Sequence, residues 1–344
     1  MIAIVAAAPG ELLAPLVEQC RAVDTTELWT PLGAPDWLAR TPGSLGRYAQ
    51  RRTPGDRTAP GVLAVDAALR AWAGSATDRR YRAELALRVA IDHWAAREVR
   101  RRRPRIVIAP TLAARRTLAA ARAIGAKAIL VVDLPLLRAL HRDLDRAAEH
   151  WPERRFLRRF RAPSSAIARQ DAERVLADLI LVRGPYAHRL CLDDGIAASR
   201  LAMLPLAPGP RLARGHAGRL RLAGLAAARH GLDTALAAAR MLGMTLVVRT
   251  GEGTEPANLA DLPGVATDDA PVDAVICPAI CEVYAPELRA TGVPVIASPM
   301  ASRDGTGPDP YDPSAFAAAI ATALTDEPAP SPQPASLSSL LATL

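Results

Sequence analysis

Two carboxylates, Glu282 and Glu287, follow a short apolar run, Val275-Ile276-Cys277, that ends at Pro278. Upstream, Arg229 and His230 precede Gly231, and Arg249 precedes Gly251 and Gly253. Carboxylates accept hydrogen bonds from vicinal hydroxyls, and glycine loops let backbone N–H groups approach phosphate oxygens. A cation beside such a loop offsets the charge of a leaving diphosphate. Together these residue types suit a ligand that carries both a diphosphate and hydroxyl-bearing rings. Singly they say less. A glutamate at a helix start is favoured by the dipole in any case, and any tight turn uses glycine.

The segments that must position these residues alternate between apolar strands and helical spacing. Ile2–Val5, Ile106–Ala109, Ala128–Val132, Leu179–Val182 and Leu201–Pro205 read as strands. Between them, 64–72, 81–100, 111–124, 134–149, 167–177 and 186–191 carry helical spacing. A Pro/Gly-rich stretch, 206–218, reads as a linker. A second series follows: strands 220–223, 245–249, 274–277 and 293–297, with helices 233–242, 286–290 and 313–325. Strands separated by helices imply crossover connections and parallel sheets. The expected organisation is α/β, with two Rossmann-like domains, 1–206 and 207–326, and a Pro-rich tail, 327–344, that could end in a short helix. The carboxyl end of a strand beside a helix N-terminus is where such a domain holds a nucleotide.

Composition narrows the classes. The 344 residues are 50% hydrophobic but only 4% aromatic, as Ala-rich helices over parallel strands require. The net charge of +8 is almost all arginine, since Lys127 is the only lysine, which fits the codon bias of a GC-rich bacterial genome. No nucleic-acid-binding module accompanies it, so a nucleic-acid partner is not expected. No run is long and apolar enough for a transmembrane helix, and Met1–Ala8 reads as a first strand rather than a secretory signal. Cys20, Cys191, Cys277 and Cys281 lack metal-ligand spacing and read as core thiols of a cytoplasmic protein.

Four segments in order resemble a GT-B glycosyltransferase of the retaining family 4 kind. Ala172-Glu-Arg-Val-Leu-Ala-Asp-Leu-Ile-Leu-Val182 resembles that family's helix and strand before the hinge. Gly224 with Arg229-His230-Gly231 resembles the first donor-domain loop, and Leu246-Val-Val-Arg-Thr-Gly251-Glu-Gly253 the second strand and its Gly-x-Gly loop. Val275–Pro278, Glu282, Glu287 and Gly292-Val-Pro-Val-Ile296 resemble the sugar-nucleotide signature. The resemblance implies two Rossmann-like domains facing across a cleft and transfer of a sugar, with retention and without a metal or other cofactor. The implied donor is a nucleotide-sugar, and the implied acceptor is a glycan or a lipid-linked acceptor. It implies that Glu287 binds the ribose, that Glu282 contacts the sugar, and that Arg229, His230 or Arg249 faces the diphosphate. Gly224, Gly251 and Gly253 make room for the donor, while Asp133 and Gly10 lie on the acceptor side.

The chain departs from that pattern at three places. Four residues, Val283–Pro286, separate Glu282 from Glu287, where the family has seven. Leu225 follows Gly224 where the family usually has Arg, and His230 stands for its lysine. Asp133 follows the strand 128–132 where a His is frequent. These departures motivate a second expectation, a catalytically degenerate scaffold in glycan assembly. A third is an epimerase of nucleotide-sugars. Trp151–Arg161 is a basic amphipathic stretch that could rest on an anionic membrane, at the inner face of the cell membrane, or simply dock on its own domain. Asp143-Leu-Asp145 lies in a helical pattern and is set aside as a metal motif, and His93 and His141 are expected to be exposed.

Overall fold

The computed structural model describes residues 1–6, 13–31, 58–74, 77–152, 161–204, 209–215, 217–249, 262–283 and 285–325. In the first half, strands β1 (Ile2–Val5), β2 (Thr26–Trp29), β3 (Ile106–Pro110), β4 (Lys127–Val132), β5 (Leu179–Val182) and β6 (Leu201–Met203) form one parallel sheet, ordered β2-β1-β3-β4-β5-β6. Helices α1 (Leu13–Arg21), α2 (Pro60–Ala73), α3 (Thr77–Arg102), α4 (Arg115–Ala123), α5 (Leu137–His150), α6 (Ser164–Leu176) and α7 (Pro185–Asp193) connect them. Alternate strand residues serve opposite faces. Val107, Ala109, Leu130 and Val132 pack under α3 and α4, while Ile106, Ile108, Ile129 and Val131 pack with Leu16, Val17 and Cys20 of α1. Burial on both faces is why these strands read as unbroken apolar runs.

The second half has strands β7 (Arg219–Leu225), β8 (Thr245–Arg249), β9 (Val265–Ala266), β10 (Ala274–Cys277) and β11 (Val295–Ala297), all parallel, ordered β11-β10-β7-β8-β9. Helices α8 (Leu232–Met241) and α9 (Pro313–Thr325) cover one face, with Phe316 and Ile320 against Leu222, Val248 and Ile276. No α-helix among the described residues covers the other face. Ala279, Val283, Ala285, Leu288 and Ala290 cover it instead, packed on Ala223, Val275 and Cys277. The segment that carries Glu282 and Glu287 is thus itself a structural layer of the sheet.

The two halves share a stitch. Asp178 accepts a hydrogen bond from the N–H of Ala128 and donates its own N–H to the Ala128 carbonyl, fixing the start of β5 against β4. Asp273 does the same with Arg219 at the start of β10. Three elements lay outside the sequence reading. They are α1, the edge strand β2, whose Thr26 and Glu27 obscure its strand character, and the two-residue β9. The stretch read as a linker is docked rather than free. Gly209, Leu212 and Gly215 donate to the carbonyls of Arg289, Thr291 and Val272. Gly292, at φ +87°, stays clear of the Leu212 carbonyl only because it has no Cβ.

The halves meet through segments that leave the carboxyl ends of their strands. Leu144, Ala147 and Ala148 of α5 pack on Ile280, and the Trp151 and Tyr311 rings lie 5.2 Å apart. Arg189 of α7 reaches the Gly305 carbonyl at 3.4 Å. The carboxyl edges of the two sheets therefore face one another. No described helix is long and apolar enough to cross a membrane.

Candidate active site

In the second half the chain leaves β7 toward β8 and leaves β10 toward β11, so the sheet order switches between β7 and β10. A crevice at the carboxyl ends of two such strands is where open α/β sheets bind ligands. Gly224, at φ +79°, and Gly231, at φ +80°, shape the loop after β7. A Cβ on Gly231 would run into the Pro278 carbonyl, so only glycine lets this loop lie against the end of β10. The carbonyl of Arg229 then accepts the N–H of Ile280.

His230 is drawn into this loop. Its Nδ1 accepts the N–H of Leu225 at 2.9 Å, and the ring fills the space beside Gly224. Burial, and then the charge of Arg229, pull its pKa down to about 4, so the ring is neutral at neutral pH. From sequence, His230 reads as a weak, mostly neutral partner for a diphosphate, and here the ring is buried in the loop with Nδ1 on the Leu225 N–H. The neighbouring Arg229 is exposed, and its guanidinium has no hydrogen bond or ion pair among the described residues.

Glu287 sits in a single 3-10 turn, Pro286–Arg289, rather than the expected helix 286–290. It is not a solvated helix-start residue. Its side chain is 5% exposed, and Oε1 accepts from Arg249 Nη1 at 2.9 Å. Arg249, at the end of β8, keeps 57% of its own side chain exposed. Oε2 of Glu287 is buried with no hydrogen-bond partner among the described residues. An ionised carboxylate oxygen is costly to strand in this way, which makes it a place where a ligand hydroxyl would be welcomed. Glu282 is also buried, and it lies near enough to the opposite half to act on Cys191 of α7. Burial is the main cause that raises that thiol to about 11.

Across the crevice, Asp133 follows β4. Its Oδ2 is shared by both terminal nitrogens of buried Arg88 at 3.3 Å, and Oδ1 is buried without a partner among the described residues. Arg183, after β5, reaches the Asp133 carbonyl at 3.4 Å. Behind this edge, the loop after β3 is pinned by two buried carboxylates. Glu173 accepts the N–H groups of Leu112, Ala114 and Arg115, and Asp92 accepts those of Arg116 and Thr117, with Arg169 bridging to Asp92. Sequence reasoning missed Arg88, Arg169 and Asp92. Glu173 was visible only as one letter of the pre-hinge helix. Gly10, Gly251, Gly253 and residues 153–160 of the basic stretch lie outside the described residues.

No known family's sequence profile matches the chain, and no curated protein sequence does either. Solved structures do. A sucrose-phosphate synthase from Thermosynechococcus elongatus aligns over 94% of this chain and 90% of its own, with a TM-score of 0.52 at 13% identity. The chain has a GT-B fold. UDP-GlcNAc 2-epimerase from Methanocaldococcus jannaschii, solved with UDP-GlcNAc and UDP, aligns over 95% and 93% with a TM-score of 0.49 at 8% identity. The glycotransferase of kitacinnamycin aligns over 94% and 90% with a TM-score of 0.47 at 15% identity. Within the GT-B fold, Arg229, Arg249, Glu282 and Glu287 lie on the second sheet's carboxyl edge, and Asp133 on the edge facing it. The motif set aside at Asp143 is structural, since its Oδ2 accepts the Tyr186 hydroxyl at 2.7 Å. His93 is exposed as expected, but His141 is half-buried and accepts the Ala162 N–H. All four cysteines are buried, in line with core thiols.

Proposed function

We propose that this protein transfers a sugar from a nucleotide-sugar to a glycan or lipid-linked acceptor, as a retaining glycosyltransferase of the family 4 kind. The observation that carries the reading is the pair Arg249–Glu287. A buried carboxylate with one unpartnered oxygen and an exposed cation stand together beside the β7–β10 crevice. In this reading Glu287 accepts from ribose hydroxyls, and Arg249 with Arg229 stabilises the departing diphosphate without a metal. Glu282 contacts the transferred sugar, and Gly224 and Gly231 hold the backbone close to the donor. Retention follows if the leaving phosphate itself assists the incoming hydroxyl on the same face, which requires no protein nucleophile. Asp133, held by Arg88, faces the acceptor. Saturation-transfer NMR with a panel of nucleotide-sugars tests the reading. Binding of one of them, followed by transfer rather than isomerisation of its sugar, supports it, and no binding by folded protein sinks it.

One observation favours a second reading, a GT-B scaffold without catalysis. His230 is neutral and inward, so the cation the family places there is missing. That reading predicts that Glu282→Ala and Glu287→Ala leave biological function intact.

A further inference from the structure

Helix α2 is apolar on its outward face as well as on its inward one. Its charged side chains are Asp66 and Arg70, and Asp66 is buried with both carboxylate oxygens on Arg70 Nε, at 2.9 and 3.0 Å. Gly61, Val65, Ala68 and Trp72, spaced as one helical stripe, all face solvent, and Ala64 and Ala71 widen it. Val65 is 40% exposed and Trp72 54%. A surface helix ordinarily turns such a stripe to the core. Here the core side is occupied by Val62 with Leu69, so the outward stripe is surplus to folding.

Cations frame the stripe at the end where Trp72 lies. Arg79, Arg80 and Arg82 begin α3 and are exposed, and Arg80 Nε donates to the Gly74 carbonyl at 2.9 Å, which holds it against the end of α2. Glu84, one turn on, leans toward Arg88 instead, 3.6 Å away. A bilayer surface bearing anionic lipid matches both features. It takes apolar side chains to the depth of the headgroups and attracts each nearby arginine by about 1 kcal/mol. A second copy of the chain matches neither. A twofold contact on this stripe would bring arginine against arginine, and one helix face falls well below the area of a stable dimer.

We propose that α2 and the exposed arginines of the first turns of α3 form a monotopic docking surface for anionic membrane, with Trp72 and Val65 entering the interface and Arg79 and Arg82 holding the headgroups. This surface lies in the first half and does not depend on the donor-site reading. The test is co-sedimentation of the full chain with phosphatidylcholine vesicles and with vesicles containing about a third phosphatidylglycerol. The expected result is partition onto the anionic vesicles only, release by high salt, and a drop of about tenfold or more for Trp72→Ala with Val65→Ser. Both side chains are exposed, so unchanged circular dichroism would show these variants folded. Arg79→Glu with Arg82→Glu should weaken binding comparably. No partition of the parent chain would overturn the proposal, as would equal binding to neutral vesicles or undiminished binding by the variants. A dimer in sedimentation velocity that the same substitutions dissolve would also overturn it, in favour of a second copy.

Discussion

The two facing sheet edges are held by different means. On the first half, the loop after β3 and the residue after β4 are braced by buried charge, with Glu173, Asp92, Arg169 and Arg88 spending their hydrogen bonds on backbone and on one another. On the second half, the loop after β7 is held by close approach. Gly231 lets the backbone lie against Pro278, and a neutral histidine fills the space beside Gly224. On the braced edge, Oδ1 of Asp133 is a buried oxygen that has no partner among the described residues. The glycine edge leaves, among the described residues, Arg229 without a side-chain partner, Arg249 exposed and one oxygen of Glu287 without a hydrogen bond. Among the described residues, one edge is thus braced by buried side chains around a single open carboxylate, while the other keeps exposed cations beside a buried carboxylate.

That difference sets the order of expected losses. Glu173→Ala would orphan three backbone N–H groups at once and should cost about 4 kcal/mol in chemical denaturation. A loss below about 1 kcal/mol would show the brace to be decorative. Gly231→Ala places a Cβ against the Pro278 carbonyl at a positive φ and should cost about 3 kcal/mol. Gly195, also at positive φ but with open space around it, should cost less on the same change.

The histidine plug makes a pH prediction. The folded pKa of His230 is about 4, below its ordinary 6.5. The unfolded chain therefore takes the proton first as pH falls. The stabilisation is complete above about pH 6.5 and is lost as pH drops toward 4, by roughly 3 kcal/mol in all. Denaturation curves of His230→Gln across that range should lack this slope. An unchanged slope would mean the ring is accessible to the proton in the fold. Smaller effects are expected at the shared stitch. Asp178→Ala and Asp273→Ala each remove one carboxylate acceptor of a strand-starting N–H and should each cost about 1 kcal/mol. Widely different costs would show that the two sheets do not use the device equally.

Much of this frame is legible in sequence, because doubly buried parallel strands must be apolar on both faces. Val275–Cys277 and Ile106–Ala109 announce themselves that way. Edge strand β2 does not, since Thr26 and Glu27 face surroundings that only the folded chain supplies. Arg249, Glu282 and Glu287 could be singled out from residue type and resemblance. The burial of the two glutamates could not, because it depends on the segment around them covering one face of the sheet. His230 was legible as a site residue but not as a plug, since its partner is a backbone N–H whose position Gly224 sets. The charge braces were invisible because Arg169 meets Asp92 across 77 residues of chain and Glu173 meets Thr111 across 62.

The binding-edge account rests on the stranded oxygen of Glu287, and Glu287→Gln tests it most directly. Titration calorimetry with the nucleotide-sugar that binds the parent chain, paired with denaturation of the same variant, separates function from fold. The prediction is unchanged or slightly increased stability, within about 1 kcal/mol, and donor affinity lowered at least about tenfold. Unchanged donor affinity, or a loss of stability large enough to explain the lost binding, would contradict it.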